Sequence, residues 1–441
     1  MSQVWRRPEA PGLFVAAKGA PEAIARMCKL AEADQAPVQA AVDEMAKNGL
    51  RVLAVANAAL EDTTLPESQQ AITLRFLGLV GLADPLRPSV PNAVRECRSA
   101  GIRVIMITGD YPATAIAIAR QAGLEASVAT TGERIRAMDE PTLAEHVATN
   151  NVFARITPDQ KLRIVQALKS NGEIVAMTGD GVNDAPSLRA AHIGIAMGGR
   201  GTDVAREASS IVLIDDEFGS IVSAIRLGRR IYDNVRKALA FIFAVHVPIA
   251  GLALLPLAFG LPLIFSPVHI AFLELIIDPV CSVAFEAERE EHDVMKRLPR
   301  RSDSPLFTWP LIVWSVLQGF LVFAAVALIF LVALHNDLPP DEARALAFFS
   351  LVVGVISLVL ANRSFSASLL SAFLRPNRAL ALILFVVAIL LATALLWSPA
   401  ATLFQFGPLH PDDLMVTLGA GFVVLVTLEI LKAIWGAQLR L

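Results

Sequence analysis

Cysteine is scarce in this chain: Cys28, Cys97 and Cys281 are the three thiols, and their spacing fits neither a disulfide framework nor a metal site. That excludes a small cross-linked scaffold and makes a reducing environment the default. A basic excess is missing too. Formal net charge is −3, so there is no general positive surface of the kind that binds nucleic acid. The first residues, MSQVWRRPEAPG, hold no apolar run, so no cleaved leader is visible and membrane insertion has to be driven by later segments. Charged residues make up only 18% of the chain against 55% apolar, with a mean hydropathy of +0.56. At 441 residues the chain is too long for one ordinary core. Its averages hide a break near residue 237, with charge and motifs before it and long apolar runs after.

Before the break, residues 174–177 read as a short strand and 185–191 as a helix. Between them lies a glycine-containing turn, and the whole stretch reads MTGDGVNDAP. It puts Asp180 and Asp184 at the carboxyl end of a strand, the edge of an α/β sheet where ligands collect. Two carboxylates four residues apart can hold a hard divalent cation such as Mg²⁺, with waters and a phosphoryl oxygen completing its shell. Asn183 can orient one of those oxygens. A bare DGxND could also be an acidic turn on a solvated face, and the full ten-residue string argues against that. Upstream, strand 76–82, helix 90–100, strand 103–107 and helix 113–122 alternate as in a parallel doubly wound sheet. Thr108 and Gly109 offer a hydroxyl and a backbone N–H to a phosphoryl oxygen. Lys161, at the N-terminus of helix 162–169, faces the same edge and can neutralise a transferring phosphoryl group.

After the break come six apolar stretches, at about 238–258, 263–284, 306–334, 343–361, 379–397 and 414–435, each long enough to cross about 30 Å of hydrocarbon. Basic residues gather before the first (Arg229, Arg230, Arg236, Lys237), after the second (Arg289, Lys296, Arg297, Arg300, Arg301), after the fourth (Arg363, Arg375, Arg378) and after the sixth (Lys432, Arg440). By the positive-inside rule, the soluble half and the C-terminus are cytoplasmic. Pro248 is expected to break the first span beside His246. In the second, Glu274 and Asp278 lie one turn apart with Pro279 following at once. Carboxylates at membrane depth are costly unless they bind a cation, hold protons or pair with a base.

The signature string, together with Lys18-Gly19-Ala20-Pro21-Glu22, Asp84-Pro85-Leu86-Arg87, Met106-Ile107-Thr108-Gly109-Asp110 and Pro158-Asp159-Gln160-Lys161, resembles the P-type cation-transporting ATPases, in the order that family uses. The resemblance is to the C-terminal half and to the calcium-pump-like branch. It implies a partial nucleotide-binding domain over 1–75, a phosphorylation domain of the haloacid dehalogenase-like (HAD-like) fold over 76–217, a stalk helix over 218–237 and an all-α bundle of six transmembrane helices over 238–435. Lys18, Gly19, Arg51 and Asp84 become nucleotide contacts, Thr108, Gly109, Asp110, Lys161 and Asn183 catalytic groups, and Asp180 and Asp184 the Mg²⁺ ligands. ATP is the implied substrate. Glu274 and Asp278, with His246 as a further ligand, match a transported-cation segment. Calcium pumps place an asparagine and a glutamate where His246 and Ile249 stand, so one Ca²⁺ or Mn²⁺, a monovalent cation or protons all stay open.

The same resemblance requires a phosphorylated aspartate in an Asp-Lys-Thr-Gly-Thr string, and no such string occurs in these 441 residues. Thr131-Gly132-Glu133 lies in the wrong place for the family's actuator loop. The expectation is a truncated or split pump, inactive without an N-terminal half, in lipid and in the plasma (inner) membrane if bacterial. Two rivals are a non-catalytic membrane regulator derived from a pump and a membrane-anchored HAD-type phosphatase that needs a partner.

Overall fold

A computed structural model describes residues 1–6, 12–61, 65–66, 68–301, 304–364 and 376–439. Arg375 and Arg440, counted above among the basic flanks, lie outside the described residues. The chain divides into two compact units: Met1–Ala224 with Met295–Ser302, and Ile225–Val294 with Asp303–Leu441.

The first unit begins with an antiparallel sheet in the order β1 (Ser2–Arg6), β2 (Leu13–Gly19), β3 (Arg51–Leu60), β4 (Arg75–Leu82). The period-two alternation expected of a half-covered sheet is present. Leu13, Val15 and Ala17 of β2 and Val52, Ala54 and Ala56 of β3 point inward. Val15, Ala17, Ala54 and Ala56 pack with Ile24 of α1 (Pro21–Met27), and Val52 packs with Val42 and Ala46 of α2 (Glu32–Lys47). Strand 76–82, expected to open the parallel sheet, is β4 and pairs antiparallel with β3 instead. Its sequence signals a strand but carries no information on its partner.

The rest of the unit is parallel α/β, in two three-stranded sheets. One is ordered β5 (Met106–Ile107), β7 (Val152–Ala154), β6 (Thr130–Thr131). The other is ordered β10 (Ile211–Leu213), β9 (Ile193–Met197), β8 (Ala176–Gly179). Helices α3 (Val90–Ser99), α4 (Pro112–Gln121), α5 (Gly132–Arg136), α6 (Glu140–Thr149), α7 (Pro158–Ser170), α8 (Ala185–Ala190) and α9 (Asp203–Glu207) connect the strands. One helix serves both sheets. Ile164 and Leu168 of α7 pack in the Phe153 core, while Val165 of the same helix packs against Met177 and Ala196. Thr131 caps α5 through the Arg134 N–H, a structural use of the Thr-Gly-Glu string.

Among the described residues six helices are long and apolar enough to cross a membrane: α10 (Phe218–Phe259), α11 (Pro267–Pro279, continued to Ala284), α12 (Trp309–His335), α13 (Pro340–Asn362), α14 (Arg378–Leu396) and α16 (Pro411–Leu439). A short α15 (Ser398–Phe404) precedes the last. The chain is an integral membrane protein with an α/β half and an all-α half. Pro248 does not break the first span: α10 runs through both Pro248 and Pro256. Neighbouring helices tolerate such prolines at membrane depth. Beyond Asp278 and Pro279 the backbone widens into a π-helix, Val280–Ala284.

With no hydrophobic driving force between helices in lipid, small residues and polar pairs hold this bundle. A Cβ at Gly319 of α12 would lie 2.3 Å from the Ala244 carbonyl oxygen of α10. Ser357 donates to the Gly421 carbonyl at 3.0 Å, joining α13 to α16. Gln318 and Asn362, both fully buried, exchange amide hydrogen bonds between α12 and α13 at 3.3 and 2.6 Å.

At the basic end, the loop after α11 buries two carboxylates. Glu291 meets Lys237 Nζ of α10 at 2.7 Å, with side chains 4% and 0% exposed, and accepts from Ser364 at 2.8 Å. Glu288 accepts from Arg363 at 2.7 Å and Asn377 at 2.8 Å, and its carbonyl accepts from Arg230 and Asn234.

Two outcomes follow for stability, read by denaturant unfolding in mild detergent. Lys237→Met or Glu291→Gln alone should each lower it by about 3–5 kcal/mol, because each breaks a buried ion pair by removing one member, and the double substitution should recover most of the loss. Single variants as stable as the parent would show the pair to be solvated. Gly319→Ala should cost on the order of 1–3 kcal/mol by forcing α12 away from α10.

Candidate functional site

The signature stretch folds as read: strand β8, then Asp180, a 3₁₀ turn at Val182–Asp184, then α8 with Pro186 in its first turn. The turn rolls Asp184 back over Gly179, where a Cβ would stand 2.9 Å from the Asp184 carboxyl carbon. Only glycine leaves room for that carboxylate. Asp184 is 6% exposed. Its Oδ1 meets Lys161 Nζ at 2.6 Å and its Oδ2 accepts the Gly181 N–H at 3.4 Å. Asp180 and Asn183 are exposed, and the Asp180 carbonyl accepts the Thr202 N–H at 2.8 Å.

Lys161 owes its position to the start of α7. Gln160, 1% exposed, accepts the Thr157 N–H at 3.1 Å and donates to the Gly132 carbonyl at 2.9 Å, anchoring the first turn between β6 and β7. A threonine followed three residues on by glutamine is a recognisable helix-start pattern, so this residue could have been singled out from sequence.

The second loop follows β5. Thr108 Oγ1 donates to Asp110 Oδ2 and accepts the Asp110 N–H, both at 3.1 Å. Neighbouring strands fix the loop: Thr108 N–H donates to the Phe153 carbonyl and Arg155 N–H to the Asp110 carbonyl. Arg51 pairs with Asp110 at 3.4 Å. Tyr111 is held by Asp43 and Gln39 of α2, and Arg155 reaches Glu22 of α1 at 2.6 Å while lying 5.4 Å over the Tyr111 ring. Burial first, then the Asp43 charge, pushes the Tyr111 hydroxyl up from its ordinary value. These contacts, which sequence reading missed, fix the antiparallel sheet's helices against the loop. Among the described residues Lys18 and Asp84 make no side-chain hydrogen bond or ion pair with either loop and both are exposed, and Gly19 ends β2.

Among the described residues no group of three His, Cys, Asp or Glu side chains forms a metal cage. Asp180, exposed beside a carboxylate already neutralised by lysine, suits a cation that takes most of its ligands from phosphate and water. In the membrane unit Glu274 is half-buried and Asp278 exposed, and neither carboxylate has a hydrogen-bond or ion-pair partner among the described residues. His246 is exposed, its Nδ1 bonded to the Ile242 carbonyl at 2.7 Å. The structure does not gather these three side chains into one cluster.

Comparison with known proteins matches residues 6–192 to the haloacid dehalogenase-like hydrolase family and residues 262–434 to the family described as cation transporting ATPase, C-terminus. The chain is 38% identical over 395 residues to a calcium-transporting ATPase of Bacillus subtilis, covering 87% of this chain and 44% of that protein. It is 36% identical over 411 residues to calcium-transporting ATPase 1 of Lactococcus lactis, covering 90% and 45%. With the probable cation-transporting ATPase F of Mycobacterium tuberculosis the figures are 38% over 355 residues, 77% and 39%. The chain thus spans less than half the length of these relatives. Two loops at the carboxyl ends of parallel strands, six membrane-length helices among the described residues and these matches lead to one assignment: the chain belongs to the P-type cation-transporting ATPases.

Proposed function

We propose that the chain is part of an ATP-driven cation pump, contributing the phosphoryl-binding loops and six membrane spans, and that a complementing N-terminal portion brings the phosphorylated aspartate. The observation that carries this reading is the Lys161–Asp184 pair at 2.6 Å beside an exposed Asp180. It is a cation and carboxylates prearranged at the carboxyl end of a parallel strand. Support for a complementing segment comes from the sheets. Among the described residues β5 pairs only with β7, and β8 only with β9, so each strand that leads into a phosphoryl loop is left with an open edge.

In this reading Asp180, with Asp184 beside it, holds Mg²⁺, which when bound neutralises charge on the transferring phosphoryl group. Lys161, fixed by Asp184, presents its ammonium to the phosphoryl oxygens. Thr108 offers its hydroxyl and Gly109 its N–H to the same group. Asn183 supports the turn, and Lys18, Gly19, Arg51 and Asp84 serve the nucleotide, with Arg51 exchanging its Asp110 partner for phosphate. Glu274 and Asp278, unpaired at membrane depth, take the transported cation, with His246 as an additional ligand. Ca²⁺ is the first ion to test, since relatives carry that name. The α/β unit and the C-terminus are cytoplasmic by the charge rule, and in a bacterium the host bilayer is the plasma membrane.

Supplied with a partner portion carrying the aspartyl loop, the protein should hydrolyse ATP in a cation-dependent manner. Asp180→Asn should reduce that rate by about a hundredfold or more, the size associated with losing a preorganised electrostatic group. Unaltered turnover would remove Asp180 from the mechanism. Transport into vesicles, compared for Ca²⁺, Mn²⁺ and monovalent cations, reads the ion, and Asp278→Asn should abolish uptake.

A further inference from the structure

Asp216 has no part in the chemistry above, yet two separated segments close on it. Its carboxylate accepts two successive backbone N–H groups, Gly199 to Oδ1 at 3.0 Å and Arg200 to Oδ2 at 2.9 Å. Its carbonyl accepts Arg87, the arginine of the Asp84-Pro85-Leu86-Arg87 string, which also reaches Glu217 at 3.4 Å. Ser89 donates to Glu217 at 2.6 Å. The residue stands in the left-handed region at φ +54, a conformation aspartate tolerates better than most side chains. Two residues later α10 begins.

The segment it grips leads straight to the signature turn. Residues 198–202 run from the end of β9 to Thr202, whose N–H donates to the Asp180 carbonyl at 2.8 Å and whose hydroxyl caps α9. There is no slack in it. A Cβ at Gly199 would stand 2.9 Å from Asp216 Oδ2, and Gly198 N–H is bonded to the Leu213 carbonyl at 2.8 Å. Burial raises the Asp216 carboxyl, but the N–H groups of Gly199, Arg200 and Gly198 outweigh it and hold it below the usual carboxylate range. It is therefore charged at neutral pH, and both bonds are charge-assisted.

We infer that Asp216 is a positioning residue: through the 198–202 segment it ties the backbone of the cation-holding Asp180 to the start of α10, so that the signature turn and the helix start move together. The bonds form a short relay: Asp180 carbonyl to Thr202, the 198–202 segment to the Asp216 carboxylate, and Asp216 through Glu217 to Phe218. Arg87 braces the same corner from the β4–α3 loop. The role assigned to Asp180 rests on the function proposed above, while the mechanical link rests on these hydrogen bonds alone.

Amide hydrogen exchange on the full chain in detergent tests the link. In Asp216→Ala the Gly199 and Arg200 amides should exchange faster by about tenfold, the loss of a charge-assisted bond, and the Thr202 amide, which Asp216 does not touch, should accelerate as well. Amides of the β2–β3 ladder should not change. Asp216→Asn, which keeps an uncharged acceptor, should be intermediate. Gly199→Ala, displacing the carboxylate from the opposite side, should repeat the effect if the alanine variant at 216 does not fold. Mn²⁺ titration followed by electron paramagnetic resonance adds the functional arm: Asp216→Ala should weaken binding by about fivefold, the lower end of coupling between linked sites. Faster exchange confined to Gly199 and Arg200, with Thr202 and Mn²⁺ affinity as in the parent, would reduce Asp216 to a local cap and overturn the inference. A parent chain that binds no Mn²⁺ would count against the proposed function instead, and the Thr202 amide would still decide the link.

Discussion

Burying a carboxylate is costly, and this fold does so at positions that fix its arrangement. Asp184 in the α/β unit and Glu288 and Glu291 in the membrane unit each sit within a few per cent of full burial. Each is matched by a cation from a different element: Lys161, Arg363 and Lys237. A charge removed from water without a counter-ion costs several kcal/mol, so each pair admits only backbone arrangements that keep its partners together. The signature turn is held against the start of α7 this way, and the loop after α11 is held to α10 and to the far end of α13.

The two units solve opposite solvent problems with related means. In water the α/β unit relies on apolar helix faces against sheets, and polar bonds locate loops. In lipid apolar faces discriminate little, and location falls to glycine contacts, hydroxyls aimed at backbone carbonyls and buried polar pairs. Helix α13, the span buried over most of its length, collects these devices: Ser350 faces Thr417, Ser357 faces Gly421, and Asn362 faces Gln318.

Much of this was legible in the sequence because the signals are local. The turn at Asp180–Asp184 follows from glycines between an apolar strand and a proline-started helix. The six spans follow from length and hydropathy, and six helices long and apolar enough to cross a membrane stand among the described residues. What was not legible depends on partners distant in the chain. Strand 76–82 reads as a strand in either sheet, and only packing chose β3. Pro248 looks like a breaker until neighbouring helices are present. The polar run after the second span, read as a basic flank, buries Glu288 and Glu291 because cations from other helices arrive there. Arg51 signalled a phosphate contact and stands against Asp110, 59 positions on, a pairing no local pattern encodes.

The Gln318–Asn362 pair has a consequence for how α12 and α13 can slide. Each amide both gives and takes one hydrogen bond with the other, and Asn362 spends its second N–H on the Leu358 carbonyl of its own helix. A shift by a single residue would strand donors and acceptors of both amides in an environment with no water to receive them. The two helices therefore have one permitted alignment along their length, and any rearrangement of the bundle must carry them as a rigid couple.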